Sequence, residues 1–264
     1  MRVFINSEDL EKLPEDTVYL HITESSGVEN YERYLKEHIK NAYFLSVEAD
    51  LSGDPNEDGG RRPLPDMEDF MVGISKMGIG VDTPVLVYSD SHLMNATRAW
   101  WMMKLIGVQE AYVLYEGLEG YRESGFKTSS GEVDLRHVLG QGLKVDYQSI
   151  VDFDFINENS TSDDLVLIDC RDSERYDGIK DDVDHVPGHI PGAGNYCYTN
   201  LATRELPEIE KVEEHFKELN KNKDVVLYCG SGMSATVNAA FLHEIGVKPK
   251  IYVGSYSDWV NRKN

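Results

Sequence analysis

One cysteine lies in a setting that suits nucleophilic chemistry. The stretch VVLYCGSGMSATVNAAFLHEIG, residues 225–246, runs from an apolar strand pattern through Cys229 and a small-residue loop into a helical pattern. Backbone N–H groups at a helix N-terminus converge on one point and carry partial positive charge, so they stabilise an anion there. Gly230 and Gly232 allow a tight turn, because glycine adopts positive φ at little cost. We therefore predict that Cys229 acts as a thiolate nucleophile.

Two kinds of chemistry use a cysteine in such a loop. Phosphatases of the Cys-x5-Arg type need an arginine six residues after the cysteine to bind phosphate through two hydrogen bonds. Ala235 holds that position here, which argues against phosphoryl transfer. The other chemistry is sulfur transfer, in which the thiolate accepts a sulfur atom and the loop stabilises the resulting persulfide. A buried packing cysteine is the simpler alternative, but packing does not require the glycines and serines that surround Cys229.

The elements that would position this loop occur twice in the chain. Residues 85–108 and 225–247 align on a closing Ile-Gly-Val, and Asp90 then falls opposite Cys229. Each copy alternates short apolar strands with helical patterns. This alternation predicts the α/β class, with each domain a mostly parallel sheet flanked by helices.

The duplication predicts two tandem domains joined by a linker. We expect an N-terminal domain over residues 1–130 and a C-terminal domain over residues 145–264. The linker, residues 131–144, is rich in glycine and polar residues. Two such domains facing each other would form a cleft.

The composition is that of a globular protein with a strong negative charge. The chain has 264 residues, of which 41% are hydrophobic, and a formal net charge of −21. Such acidity argues against non-specific binding to nucleic acid or to an anionic membrane. The sequence shows neither a signal-peptide pattern nor an apolar run of about 20 residues. Its three cysteines cannot all pair within one chain, so we expect a reduced, cytoplasmic protein.

These features together resemble those of the two-domain rhodanese-type sulfurtransferases. The resemblance covers nearly the whole chain and includes a degenerate N-terminal copy of the motifs. The motifs that carry it are CGSGMSA (229–235), GHIPGA (188–193), LIDCRDSERY (167–176), GSYSDW (254–259) and DLSGDPNEDGGRRPLPD (50–66). The resemblance implies a catalytic C-terminal domain, an N-terminal domain left non-catalytic by Asp90, and an active site between the two domains.

The resemblance also implies roles for individual residues. The loop is closer to the Cys-Gly-Ser-Gly-Val-Thr pattern of 3-mercaptopyruvate sulfurtransferases than to the thiosulfate type, which carries two cations after the cysteine. Arg175 stands where an arginine binds the donor carboxylate. Ser231 stands where a serine is proposed to relay protons, with Asp50 as its acidic partner. Further donor-binding residues are expected in the loop itself: Gly230, Gly232, Met233 and Ser234.

Two positions depart from the pattern of the mercaptopyruvate enzymes. Arg62 stands where the relay has its histidine, and Asp184 stands where a second substrate arginine is expected. Arg61 and Arg62 either project into the cleft and attract anions or belong to the solvated surface. The acidic run at 181–185 is expected to be exposed.

The sequence therefore predicts a sulfurtransferase that needs no metal or organic cofactor. It would move a sulfane sulfur from 3-mercaptopyruvate or thiosulfate to cyanide or a thiol acceptor, through a persulfide on Cys229. The alternative is a non-catalytic binding or regulatory module, because duplicated domains of this kind can lose activity. The expected partners are the small anionic donor and the acceptor, without nucleic acid or membrane, and the expected state is a monomer or a homodimer.

Overall fold

The chain forms two compact units in a computed structural model that describes residues 2–56, 58–90, 92–135 and 139–263. The N-terminal unit consists of Arg2–Gly53 and Pro65–Asp146. The C-terminal unit consists of Asp54–Leu64 and the chain from Tyr147 onward. The segment 54–64, which the sequence pattern placed in the N-terminal domain, is thus part of the C-terminal unit. The described residues of the expected linker, 131–135 and 139–144, are part of the N-terminal unit.

The N-terminal unit is built on a five-stranded sheet in which every pairing is parallel. Its strands are β1 (Phe4–Ile5), β2 (Val18–Thr23), β3 (Tyr43–Ser46), β4 (Val85–Ser89) and β5 (Ala111–Leu114). Its helices are α1 (Val28–Lys36), α2 (Met67–Lys76), α3 (Leu93–Leu105) and α4 (Gly117–Glu123). The strand order is β1-β5-β4-β2-β3.

The C-terminal unit repeats this arrangement with a second parallel sheet. Its strands are β6 (Ile150–Val151), β7 (Leu165–Asp169), β8 (Gly194–Asn195), β9 (Asp224–Tyr228) and β10 (Lys250–Tyr252). Its helices are α5 (Phe153–Asn159), α6 (Ser173–Tyr176), α7 (Ile209–His215), α8 (Ser234–Glu244) and α9 (Ser255–Lys263). The strand order, β6-β10-β9-β7-β8, is that of the first sheet, so the predicted α/β class and duplication are confirmed.

The duplication extends to individual hydrogen bonds in the two cores. In the N-terminal unit the amide of Ile39 donates to the buried hydroxyl of Tyr88 at 2.9 Å. In the C-terminal unit the amide of Ile190 donates to the buried hydroxyl of Tyr228 at 3.0 Å. Tyr88 is the fourth of the five residues of β4 and Tyr228 is the last residue of β9. Both bonds satisfy an amide that burial would otherwise leave without a partner.

The central strands are buried on both faces, as parallel sheets covered by helices require. Val225 to Tyr228 of β9 are all buried, which explains why this stretch reads as an unbroken apolar run. Helix α8 is also buried along most of its length.

No helix in the described ranges is long and apolar enough to span a bilayer.

Candidate active site

Cys229 lies at the turn between a buried strand and a buried helix of the C-terminal unit. It directly follows β9, and α8 begins five residues later at Ser234. Its side chain is almost fully enclosed, with 2% of the residue exposed. The first amides of any α-helix lack acceptors inside the helix itself, and of those in α8 the amide of Thr236 donates to the carbonyl of Met233 at 3.0 Å. The predicted strand–loop–helix setting of Cys229 is confirmed.

The other two cysteines lie in different settings. Cys170 follows the neighbouring strand β7, and its amide donates to the carbonyl of Tyr228 at 2.9 Å. Burial raises the pKa of the Cys170 thiol well above its usual value, and the nearby Cys229 and Asp169 raise it further. Cys197 is partly exposed, and its sulfur lies 3.0 Å from Thr199 Oγ1. Cys170 is therefore held as a neutral core residue.

Helix α9 supports the cysteine loop from one side. The amide of Cys229 donates to Ser255 Oγ at 3.2 Å. In return, the carbonyls of Cys229 and Gly230 accept from the amides of Tyr256 and Ser257, at 2.9 and 3.1 Å. Ser255 adopts a positive φ of 56° to make this possible. The GSYSDW motif thus fixes the backbone of the two residues that begin the loop.

Two arginines converge on the residue next to the cysteine. A methyl group placed on Gly230 would lie 2.9 Å from Arg61 Nη2 and 3.0 Å from Arg175 Nη2. Both distances are tighter than ordinary side-chain contacts, so a larger residue at this position would require the ends of these two arginine side chains to shift. The sequence predicted Arg61 and Arg175 as donor-binding residues, and the structure brings both guanidinium groups to the loop.

The backbone of residues 60–61 places Arg61. Gly60 has φ of +72°, and a side chain there would lie 2.5 Å from the carbonyl oxygen of Gly254. The amide of Arg61 donates to Ser257 Oγ at 3.1 Å. Only a glycine at position 60 allows the segment to approach α9 this closely. Arg62, the next residue, is half-buried in the same unit.

A buried carboxylate holds the two arginines in place. Asp184 Oδ2 accepts from Arg175 Nη2 at 2.6 Å, and Asp184 Oδ1 accepts from Arg61 Nη1. The amide of Asp184 donates to Asp181 Oδ1 at 2.9 Å. Burial opposes ionisation of Asp181, but hydrogen bonds from the amides of Asp184 and Val183 and from Arg175 lower its pKa overall.

The expectation that the whole acidic run 181–185 is exposed is wrong. Asp182, Val183 and His185 are exposed as expected, with 77% of the Asp182 side chain exposed. The side chains of Asp181 and Asp184 are 0% and 1% exposed. The reason is local charge, since each of these carboxylates lies beside guanidinium groups that offset the cost of burial.

Arg171 and Asp169 form the buried end of the same network. Arg171 donates to Asp169 Oδ2 at 2.7 Å and to the carbonyl of Gly188 at 2.6 Å. Its guanidinium lies 4.0 Å from the ring centroid of Tyr256. Burial lowers the pKa of Arg171, but the hydrogen bonds and charge of Asp169 outweigh it and raise the pKa overall. This pair joins the GHIPGA motif to α9 and has a structural role.

The remaining predicted loop residues line the same turn. Met233 and Ser234 are buried at the start of α8, and Gly232 has φ of +77°. Ser231 is half-buried within the loop. These positions are consistent with a compact turn around the thiol.

Asp50 and Asp90 lie in the N-terminal unit. Asp50 Oδ2 accepts from the amide of Ser46 at 2.6 Å, in the turn after β3. Burial raises the pKa of Asp50, and the hydrogen bonds with Ser46 offset this only in part. Asp90 follows β4 as Cys229 follows β9, and its Oδ1 lies 2.8 Å from Nε2 of the buried His21. Burial opposes ionisation of Asp90, but the hydrogen bond with His21 and other nearby charges lower its pKa overall.

Sequence reasoning missed two parts of this site. It did not find that Asp184 pairs with Arg61, although an acidic residue in an expected arginine position was a signal. It also did not find that Ser255, in the GSYSDW motif, accepts from the amide of Cys229.

Comparisons with known proteins agree across both units. The family described as Rhodanese-like domain matches residues 8–124 and 154–262. A Pseudomonas aeruginosa protein named "Probable 3-mercaptopyruvate sulfurtransferase" is 34% identical over 237 residues, covering 86% of this chain and 82% of that protein. The thiosulfate sulfurtransferase of Gallus gallus is 28% identical over 239 residues, covering 88% of this chain and 81% of that protein. The structure of 3-mercaptopyruvate sulfurtransferase from Leishmania major superposes with a TM-score of 0.84 at 25% identity, covering 99% of this chain and 75% of that one.

Proposed function

Because this chain belongs to the rhodanese-like family and is a sulfurtransferase, we propose that Cys229 is its sulfur carrier. The Cys229 thiolate attacks the outer sulfur of a small anionic donor, and a new S–S bond forms while that sulfur's bond to the rest of the donor breaks. Thiosulfate releases sulfite, whereas 3-mercaptopyruvate releases pyruvate through an enolate that takes up a proton. A thiol or cyanide then attacks the outer sulfur of the persulfide and restores the thiolate.

The observation that carries this proposal is the convergence of two guanidinium groups on Gly230. Arg61 and Arg175 lie beside the residue that follows the nucleophile. The amides at the start of α8 would stabilise the negative charge of the persulfide. The guanidinium groups would hold the charged end of the donor through charge-assisted hydrogen bonds. Gly230, Gly232, Met233 and Ser234 shape the surface against which the donor lies.

Proton delivery is a separate part of the proposal. Ser231 and Asp50 would form the relay that protonates the enolate released from 3-mercaptopyruvate. Arg62 cannot take the histidine's place in such a relay, because a guanidinium keeps its proton near neutral pH. It can supply fixed positive charge, so we propose that Arg62 assists binding of the anionic donor. An Arg62→His variant should then shift the ratio of the two donor activities toward 3-mercaptopyruvate.

The deciding experiment is mass spectrometry of the intact protein after incubation with each donor. The wild-type chain should gain the mass of one sulfur atom, and Cys229→Ser should gain none. Cys170→Ala and Cys197→Ala are matched controls that should load sulfur as the wild type does. Loading of the Cys229→Ser variant would contradict the assignment of the carrier.

The cellular setting and the donor can be tested in parallel. We propose a cytoplasmic location, because Cys170, Cys197 and Cys229 are all free thiols, as a reducing compartment maintains. Steady-state rates with thiosulfate and with 3-mercaptopyruvate, each with cyanide and with a small thiol, would rank donors and acceptors.

A further inference from the structure

Asp184 lies between the two arginines that face the cysteine loop. Its carboxylate accepts from Arg175 Nη2 at 2.6 Å through one oxygen and from Arg61 Nη1 through the other. Its side chain is 1% exposed, whereas those of Arg175 and Arg61 are 21% and 36% exposed. An anion can therefore reach the guanidinium groups, but it cannot displace Asp184 without opening the fold.

The charges of this cluster cancel. Three guanidinium groups face three carboxylates, since Arg171 also pairs with Asp169 at 2.7 Å and lies 3.2 Å from Asp181. The members of the cluster are Arg61, Arg171, Arg175, Asp169, Asp181 and Asp184. A donor held by the two accessible arginines therefore lies close to the fixed negative charge of Asp184.

We propose that Asp184 sets the charge of the donor that this site prefers. The repulsion between Asp184 and a bound anion grows in proportion to the anion's charge. Asp184 thus opposes a dianion such as thiosulfate about twice as strongly as a monoanion such as 3-mercaptopyruvate. It selects for monoanionic donors through the arginines that it holds. This inference rests on the proposed function of Cys229 and assigns Asp184 the role of a positioning and specificity residue.

The test is the donor preference of an Asp184→Asn variant. Asparagine keeps the shape and one acceptor oxygen but removes the charge. The ratio of kcat/KM for thiosulfate to kcat/KM for 3-mercaptopyruvate should rise by roughly 10-fold or more. The change should appear mainly in KM, because Asp184 does not touch the reacting sulfur. A merely structural role would lower both activities together and leave the ratio unchanged.

The matched control is Asp182→Asn. Asp182 is two residues away, is 77% side-chain exposed and lies 3.2 Å from Lys180. The same chemical change there should leave the donor ratio at the wild-type value. A ratio for Asp184→Asn that stays within about 2-fold of the wild type, or moves toward 3-mercaptopyruvate, overturns the inference.

A second measurement uses the wild-type protein and requires no turnover. Sulfate and methanesulfonate have similar tetrahedral heads but differ by one charge. Each can be titrated as a protector of Cys229 against the neutral reagent iodoacetamide. Because the cluster is neutral, methanesulfonate should protect at concentrations no higher than sulfate does. Protection by sulfate at roughly 10-fold lower concentration would overturn the inference, even if Asp184→Asn fails to fold.

This design separates the two proposals. Loading of sulfur on a residue other than Cys229 would contradict the assignment of Cys229 as the carrier, but it would not show how the site binds anions. A donor ratio that does not change in Asp184→Asn, or stronger protection of Cys229 by sulfate than by methanesulfonate, would contradict the role of Asp184. Cys229 would still be the sulfur carrier.

Discussion

The three arginines of the cluster around Asp184 share one chemical group, but they differ in how far solvent can reach them. The side chain of Arg171 is 1% exposed and is enclosed by Asp169 and the ring of Tyr256. Arg175 and Arg61 keep 21% and 36% of their side chains exposed beside Gly230. Of these three, only Arg175 and Arg61 can contact a donor from solvent. Substitution of either should therefore weaken donor binding, whereas substitution of Arg171 should destabilise the fold.

Arg175→Ala tests this separation. Loss of a charge-assisted pair typically costs about 1.5–3 kcal/mol, so kcat/KM should fall by roughly 10- to 100-fold. Arg175→Lys should recover only part of the activity, because an ammonium group cannot reproduce the planar fork of a guanidinium. Steady-state kinetics with both donors would measure the effect.

The control for Arg175 lies in the other unit. Arg122 is half-exposed and donates to Glu37 at 3.0 Å, so Arg122→Ala removes an arginine–carboxylate pair that is more exposed than the pair of Arg175 and Asp184. It should leave kcat/KM close to the wild-type value. If Arg175→Ala behaves as Arg122→Ala does, Arg175 does not bind the donor.

Helix α9 shows how a short element fixes the geometry of the nucleophile. Ser255 adopts φ of 56°, which costs a residue with a side chain about 1–3 kcal/mol. In exchange, its Oγ accepts from the Cys229 amide and donates to the carbonyl of Tyr252 at 2.9 Å. The hydroxyl and the unusual φ therefore make separate contributions to stability.

Two variants separate these contributions. Ser255→Ala keeps the positive φ but leaves a buried amide without its acceptor, so it should destabilise the protein by about 1–3 kcal/mol. Ser255→Gly loses the same hydroxyl but relieves the strain, so it should be less destabilising than the alanine variant by about 1 kcal/mol. Urea unfolding measures both. Equal losses would mean that the φ of Ser255 carries no measurable strain.

The sequence predicted the elements better than it predicted the contacts between distant residues. The path from β9 through Cys229 into α8 could be read locally, because an apolar run, glycines and a helical pattern are adjacent in the chain. The pairing of Arg61 with Asp184 could not, because the two residues are 123 positions apart. The acidic run was expected to be exposed because its composition is polar, but the carboxylates of Asp181 and Asp184 are buried beside guanidinium groups that come from other segments.

The net charge of the whole molecule has the same sign as the charge of its candidate donors. The chain carries a formal net charge of −21, and both candidate donors are anions. The cluster around Asp184 is formally neutral, so attraction at the site acts only over the short distance to the exposed arginines. At low ionic strength the long-range field should therefore slow the approach of donors.

Salt should raise the efficiency of this enzyme at low ionic strength. Between about 10 and about 100 mM NaCl the Debye length falls from about 30 to about 10 Å, which screens the distant charges more than the direct contacts with Arg61 and Arg175. We expect kcat/KM to increase over this range, with about twice the slope for dianionic thiosulfate as for monoanionic 3-mercaptopyruvate. Alkylation of Cys229 by uncharged iodoacetamide is the control and should not change. A fall in kcat/KM across the same range would mean that attraction by the arginines outweighs repulsion by the rest of the molecule.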